Sequence, residues 1–213
     1  VLLEGLEKKH FACLSADVPW KFVVRSKKGE NRSPEKHYDT MTLEEIAALP
    51  VAEYVTDNSF LLFWVTGPHF AQGNHLSIMR AWGFEPTSVW GVWIKPNPKT
   101  MRQGFFFFND FSFFVGMGYT TRQNAEFVVL GKRGKPKRLS KAIRQVMAEP
   151  KREHSRKPDE YFERVEKFCD GPRLELFSRE ERAGWTCRGN EVGKFGDGRA
   201  TEVRCSGDQA GSD

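Results

Sequence analysis

The chain has 213 residues, 39% of them hydrophobic and 29% charged, which suits one soluble domain with a sizeable core and leaves little room for a second. Lys and Arg outnumber Asp and Glu by 33 to 28, a mild surplus that suits a polyanionic partner without requiring one. No apolar run approaches the roughly 20 residues that cross a bilayer, no signal peptide is visible, and Cys13, Cys169, Cys187 and Cys205 lack the spacing of a metal site. Free thiols in a cytoplasmic protein are expected.

In chain order, residues 11–16 (FACLSA) predict a strand that runs into Asp17. Residues 21–40 are long, polar and basic, and predict an extended loop. Thr42, with Glu45 three residues on, caps a helix that stops before Pro50. Residues 59–66 (SFLLFWVT) are an unbroken apolar run of strand length, as in a sheet covered on both faces. One helix should run from Pro68 towards Trp82, closed by Gly83.

Residues 88–94 (SVWGVWI) and 126–131 (EFVVLG) predict two more buried strands. Between them, residues 96–123 include seven phenylalanines with no clean period, a loop long enough to suggest function. A helix from Pro158 puts Asp159 and Glu160 in its first turn and Tyr161, Phe162, Val165, Phe168 and Cys169 on one stripe. Residues 173–178 (RLELFS) form the next strand. The tail from Gly196 is polar and Gly-rich and is expected to be disordered, leaving residues 1–195 as the folded domain. The chain opens at Val1 rather than methionine, as expected of a sequence trimmed at its N-terminus.

Alternating strands and helices predict an α/β sandwich with a mostly parallel sheet. In such sheets ligands sit at the carboxyl ends of strands, where Asp17 and the pair Ser178-Arg179 both fall. A carboxylate at a buried strand end is costly unless its charge is used.

The motifs DVPW (17–20), HYDTM, FLLFWVT, VWIKPN, FVGMGYTTRQNAEFVVLGKRGKPKR, EHSRKPDEYFERVEKF, LELFSR and GNEVG occur in one order. That order resembles the mRNA-adenosine-methyltransferase-like family of adenine N6 methyltransferases, over about residues 10–195, and is nearest to its short phage and bacterial DNA-type members. The resemblance implies a Rossmann-like fold that uses S-adenosylmethionine, with a circularly permuted motif order that places the catalytic motif before the cofactor motif. It matches Asp17, Val18, Pro19 and Trp20 to the family's catalytic Asp-Pro-Pro-Trp. Lys157, Ser178, Arg179, Asn190 and Glu191, together with Asp17, match cofactor-binding positions. Val18 stands where the family has proline and Glu191 where it has glutamine.

The chemistry suits these residues. Adenine's exocyclic amine has its lone pair delocalised into the ring, so methyl transfer needs acceptors that pull the nitrogen towards tetrahedral geometry. The Asp17 carboxylate and the carbonyl of Val18 are the expected pair. Trp20 and Tyr38 are expected to stack on the flipped base, with Lys95 and Tyr119 also on the substrate side. The basic stretches 27–36 and 131–144 are expected to follow the phosphates of a nucleic acid, DNA in preference to RNA. No metal is implied, and a homodimer or heterodimer stays open. Rival readings are a non-catalytic scaffold subunit, an RNA enzyme, and a cytosine N4 methyltransferase, which usually carries Ser at the position of Asp17.

Overall fold

The structure is a computed structural model and describes residues 2–21, 40–99, 112–116, 121–153, 156–190 and 192–193. Its strands are β1 (Phe11–Ala16), β2 (Val55–Val65), β3 (Glu85–Ile94), β4 (Ala125–Arg133), β5 (Val146–Ala148), β6 (Arg173–Leu176) and β7 (Thr186–Arg188). Its α-helices are α1 (Leu43–Ala47), α2 (Gly67–Ala71), α3 (Asn74–Ala81) and α4 (Asp159–Phe168).

The strands form one sheet in the order β5-β3-β4-β2-β1-β6-β7. β4 pairs antiparallel with β2 and β3, and every other pairing is parallel. Six strands therefore share a direction and β4 alone runs against them, which agrees with a mostly parallel sheet. The first strand and the late strand β6 are immediate neighbours, with Ala16 opposite Leu176.

Both faces of β2 are covered, which is why its sequence does not alternate. Leu61, Phe63 and Val65 pack with Ile78, Met79 and Trp82 on one side. Phe60, Leu62 and Trp64 pack with Tyr161, Phe162, Val165 and Phe168 of α4 on the other. Two buried polar links add to this packing. Trp82 Nε1 donates to Ile46 O at 2.9 Å, and the Ser15 and Tyr161 hydroxyls share a buried hydrogen bond of 2.8 Å.

The expected cap of α1 is present: Glu45 N donates to Thr42 Oγ1 at 3.2 Å, and Thr42 N donates to Glu45 Oε2 at 2.8 Å. The single helix expected over 68–82 is instead two, broken where Gly73 takes a left-handed φ of 72° that a side-chain-bearing residue would adopt at a cost. β6 is two residues shorter than the apolar pattern suggests, because Phe177 also turns left-handed at φ 63°. The short strands β5 and β7 extend the sheet beyond what periodicity predicts. Residues 196–213 and most of 21–40 lie outside the described residues, as does most of the phenylalanine-rich loop. Among the described residues, no helix is long and apolar enough to cross a membrane.

Candidate active site

At the carboxyl ends of β1 and β6 the chain leaves the sheet twice, side by side. Asp17 follows Ala16, and Phe177-Ser178-Arg179 follows Leu176. A shallow cleft, open to solvent, lies between them. Asp17, Lys157, Glu175, Ser178, Arg179 and Glu180 contribute to its lining.

Asp17 is 29% exposed and meets the buried Lys157 ammonium through Oδ2 at 2.6 Å. Lys157 comes from the loop that enters α4, and its Nζ also lies 3.3 Å from Glu126 Oε2 and 5.0 Å from the centre of the Trp64 ring. Glu126 in turn pairs with Lys95, whose ammonium sits over Trp93 at 4.4 Å. Four charges thus form a row: Asp17, Lys157, Glu126, Lys95. Burial pushes the Asp17 carboxyl above its ordinary value; Lys157 opposes that rise and the neighbouring Glu126 charge adds to it. Glu126 has two cations, and against the pull of burial they hold it down to about 2. Lys157 is kept above its ordinary range by the two carboxylates, despite its burial.

The turn through the DVPW motif is held by its own backbone. Trp20 N donates to Val18 O at 2.9 Å, and Met41 N donates to Pro19 O at 3.0 Å. The Val18 carbonyl keeps a second lone pair beyond the bond from Trp20. Trp20 itself departs from expectation. It is 3% exposed, its ring stacks on His69 at 4.2 Å with an 18° tilt, and it meets Phe63 edge-on. In this arrangement Trp20 is a packing residue and not an open platform for a base, because His69 occupies the stacking distance.

On the β6 side, Ser178 Oγ donates to Glu175 Oε2 at 3.0 Å and lies 2.7 Å from Glu180 O. Burial raises the Glu175 carboxyl to about 7, with the Ser178 hydrogen bond working against the rise. Glu180 is held by Arg156 Nε at 3.1 Å and Arg182 Nη2 at 2.6 Å. Ser178 N donates to Arg188 O at 2.9 Å, and a Cβ at Gly189 would fall 2.2 Å from Ser178 O. Only glycine lets β7 close this tightly on the loop, and the exposed Asn190 follows directly.

Asp17, Lys157, Ser178 and Arg179 therefore meet at one cleft, and Lys95 joins it through Glu126. Glu191, Tyr38 and Tyr119 lie outside the described residues. Glu126 and Glu175 escape a motif-based reading, although each is the lone acid of its strand. The basic stretch 131–144 begins on β4. Arg133 pairs with Ser59, whereas Ala16 pairs with Phe63, so the stretch leaves the sheet at the end opposite the cleft. Beyond Arg133 the stretch turns back along the sheet, where Leu139 N donates to Phe168 O and the carbonyl of Gln145, next after Arg144, accepts from Val92 N. The stretch 27–36 is outside the described residues.

The model for the MT-A70 family matches residues 11–191. The chain belongs to the MT-A70 family. The match spans both chain exits at the cleft and all described strands. Among similar proteins is the type II methyltransferase M.MunI of Mycoplasma sp, 28% identical over 88% of this chain and 80% of that protein. The human N(6)-adenosine-methyltransferase catalytic subunit METTL3 is 27% identical over 85% of this chain. The Drosophila melanogaster N(6)-adenosine-methyltransferase MT-A70-like protein is also 27% identical over 85%. This MT-A70 chain spans only 28% of the human protein and 27% of the fly protein.

Proposed function

We propose that this MT-A70 chain is an S-adenosylmethionine-dependent methyltransferase acting on the exocyclic N6 amine of adenine in DNA, in the cytoplasm of a bacterial or phage-infected cell. The observation that carries this is the meeting of Asp17 and Ser178 at the carboxyl ends of neighbouring parallel strands, with the Lys157 ammonium on the Asp17 carboxylate. DNA is favoured over RNA because the chain spans most of a type II methyltransferase but little more than a quarter of the adenosine-methyltransferase subunits.

The cleft fits the cofactor chemically. It offers carboxylates for an ammonium, and an ammonium and guanidinium for a carboxylate. Lys157, Ser178, Arg179 and Asn190 would hold the cofactor, with Glu191 following Asn190 in sequence. When bound, it supplies an electrophilic methyl group on a sulfonium.

The protein's part is to aim the amine and take its hydrogens. Asp17 accepts one N–H of the substrate amine, and the second lone pair of the Val18 carbonyl accepts the other. The amine lone pair is then localised along the line of attack. As the N–C bond forms, positive charge grows on nitrogen, and the Asp17 carboxylate stabilises it and can receive the departing proton. Valine at 18 keeps the carbonyl and gives up only proline's fixed φ. The Trp20-Pro19 turn, locked by Met41 and His69, keeps both acceptors in place.

Expression in a host without adenine methylation, followed by nucleoside analysis of its DNA and RNA, tests this reading. N6-methyladenine in the DNA is the expected result. Methylation confined to RNA would overturn the substrate assignment, and none in either would overturn the activity.

A further inference from the structure

The row of charges behind Asp17 contains a carboxylate that the reaction above does not use. Glu126 lies at the cleft end of β4, with Trp93 opposite it on β3. Its face of the sheet is otherwise apolar there, lined by Trp64, Trp93 and Val128. A largely buried carboxylate in such a place costs stability unless it is paired, and Glu126, whose side chain is 20% exposed, is paired twice, with Lys95 and Lys157. The second pairing has a consequence. Lys157 has one ammonium and two carboxylates to serve, 2.6 Å from Asp17 and 3.3 Å from Glu126.

We propose that Glu126 is a positioning residue that draws Lys157 part-way off Asp17, so that the Asp17 carboxylate keeps enough basicity to accept a hydrogen of the substrate amine. This rests on the reading of Asp17 as that acceptor. An Asp17 paired one-to-one with a lysine would be electrostatically spent: the ammonium would already hold the charge that the amine needs. Sharing the ammonium with a second carboxylate weakens its hold on the first. Lys95 completes the device by keeping Glu126 ionised, so that the row as a whole is neutral. The remaining charges around Asp17 are Arg179 beyond β6, which works with Lys157, and Glu175 on β6, which works with Glu126.

The inference is separable from a merely structural role. In cofactor-free protein, the carboxyl carbon of Asp17 can be titrated by NMR, with the Asp17→Asn variant supplying its assignment. Glu126→Gln keeps size and hydrogen bonding but removes the competing charge. The Asp17 midpoint should then move to lower pH. The single-turnover methylation rate should fall tenfold or more, a loss at or below the roughly 10²–10⁴-fold that a positioned acid or base contributes. Cofactor affinity should change less than the rate.

An unchanged midpoint and rate in a folded Glu126→Gln protein would overturn the proposal, and so would a drop in melting temperature with no change in midpoint. If Glu126→Gln does not fold, Glu126→Asp keeps the charge but withdraws it by one methylene. It should shift the midpoint in the same direction by less, and a wild-type midpoint there would equally overturn the inference. Failure of the parent reading looks different, since Asp17→Asn would itself remain active.

Discussion

Ala16 and Leu176 stand opposite one another on adjacent parallel strands, although 160 residues of chain separate them. The residues that follow each of them, Asp17 and Phe177-Ser178, consequently leave the sheet together. One strand delivers the carboxylate proposed to meet the substrate amine and the other delivers the loop proposed to hold the cofactor, and the buried Lys157 lies against the carboxylate. The cleft is thus a product of strand order.

Lys157→Met leaves Asp17 and Glu126 without the cation they share, and Glu126 keeps only Lys95. Cofactor affinity measured by calorimetry should fall several-fold or more. Stability should drop by about 3–5 kcal/mol, the range for breaking a buried ion pair from one side. Unchanged affinity would remove Lys157 from the cofactor site.

Glu175 gives a pH dependence with a definite sign. Its carboxyl is raised from 4.5 to about 7 in the folded chain, so between those values the folded protein holds a proton that the unfolded chain has released. Its contribution to stability is complete below about pH 4.5 and is lost as pH rises through 7. Glu175→Gln should abolish that loss, a difference on the order of 3 kcal/mol between the two proteins across this window. Denaturant melts at pH 4.5, 6 and 7.5 measure it, and parallel curves for variant and wild type would contradict the assignment.

Much of this arrangement is legible in the sequence, and what is not has identifiable causes. β1, β2, α1, α4 and β6 follow from apolar runs, a capping box and a helical stripe, signals local to each element. β2 begins four residues before its apolar run because Val55 to Asn58 are carried by backbone pairing and loop contacts rather than by burial of both faces. The break at Gly73 was marked by its glycine, but the apolar pattern of 68–82 runs straight across it. β5 and β7, three residues each, owe their form to neighbours distant in sequence. At the site, motif order singles out Asp17, Lys157 and Ser178, which the fold brings to one cleft, whereas the pairing of Glu126 with Lys157 follows only from the fold. Trp20 shows the opposite failure, since a motif position does not reveal that His69 packs on its ring.

Trp20→Ala should therefore act first on the fold. Removing a ring that is 3% exposed and packed on His69 and Phe63 leaves a cavity costing about 3–5 kcal/mol. Thermal melting checks this. A variant as stable as wild type but defective in DNA binding would restore Trp20 as a base-stacking residue.

The central claim is that the Asp17 charge takes part in methyl transfer. Asp17→Asn keeps the size of the side chain but offers an amide that can present N–H donors to the amine. Single-turnover methylation of an adenine-containing duplex, run beside thermal melting of the same preparation, is the direct measurement. The rate should fall by a factor on the order of 100 or more, with a near-normal melt, as for other groups preorganised against developing charge. A variant that melts normally and methylates at close to the wild-type rate would contradict the account.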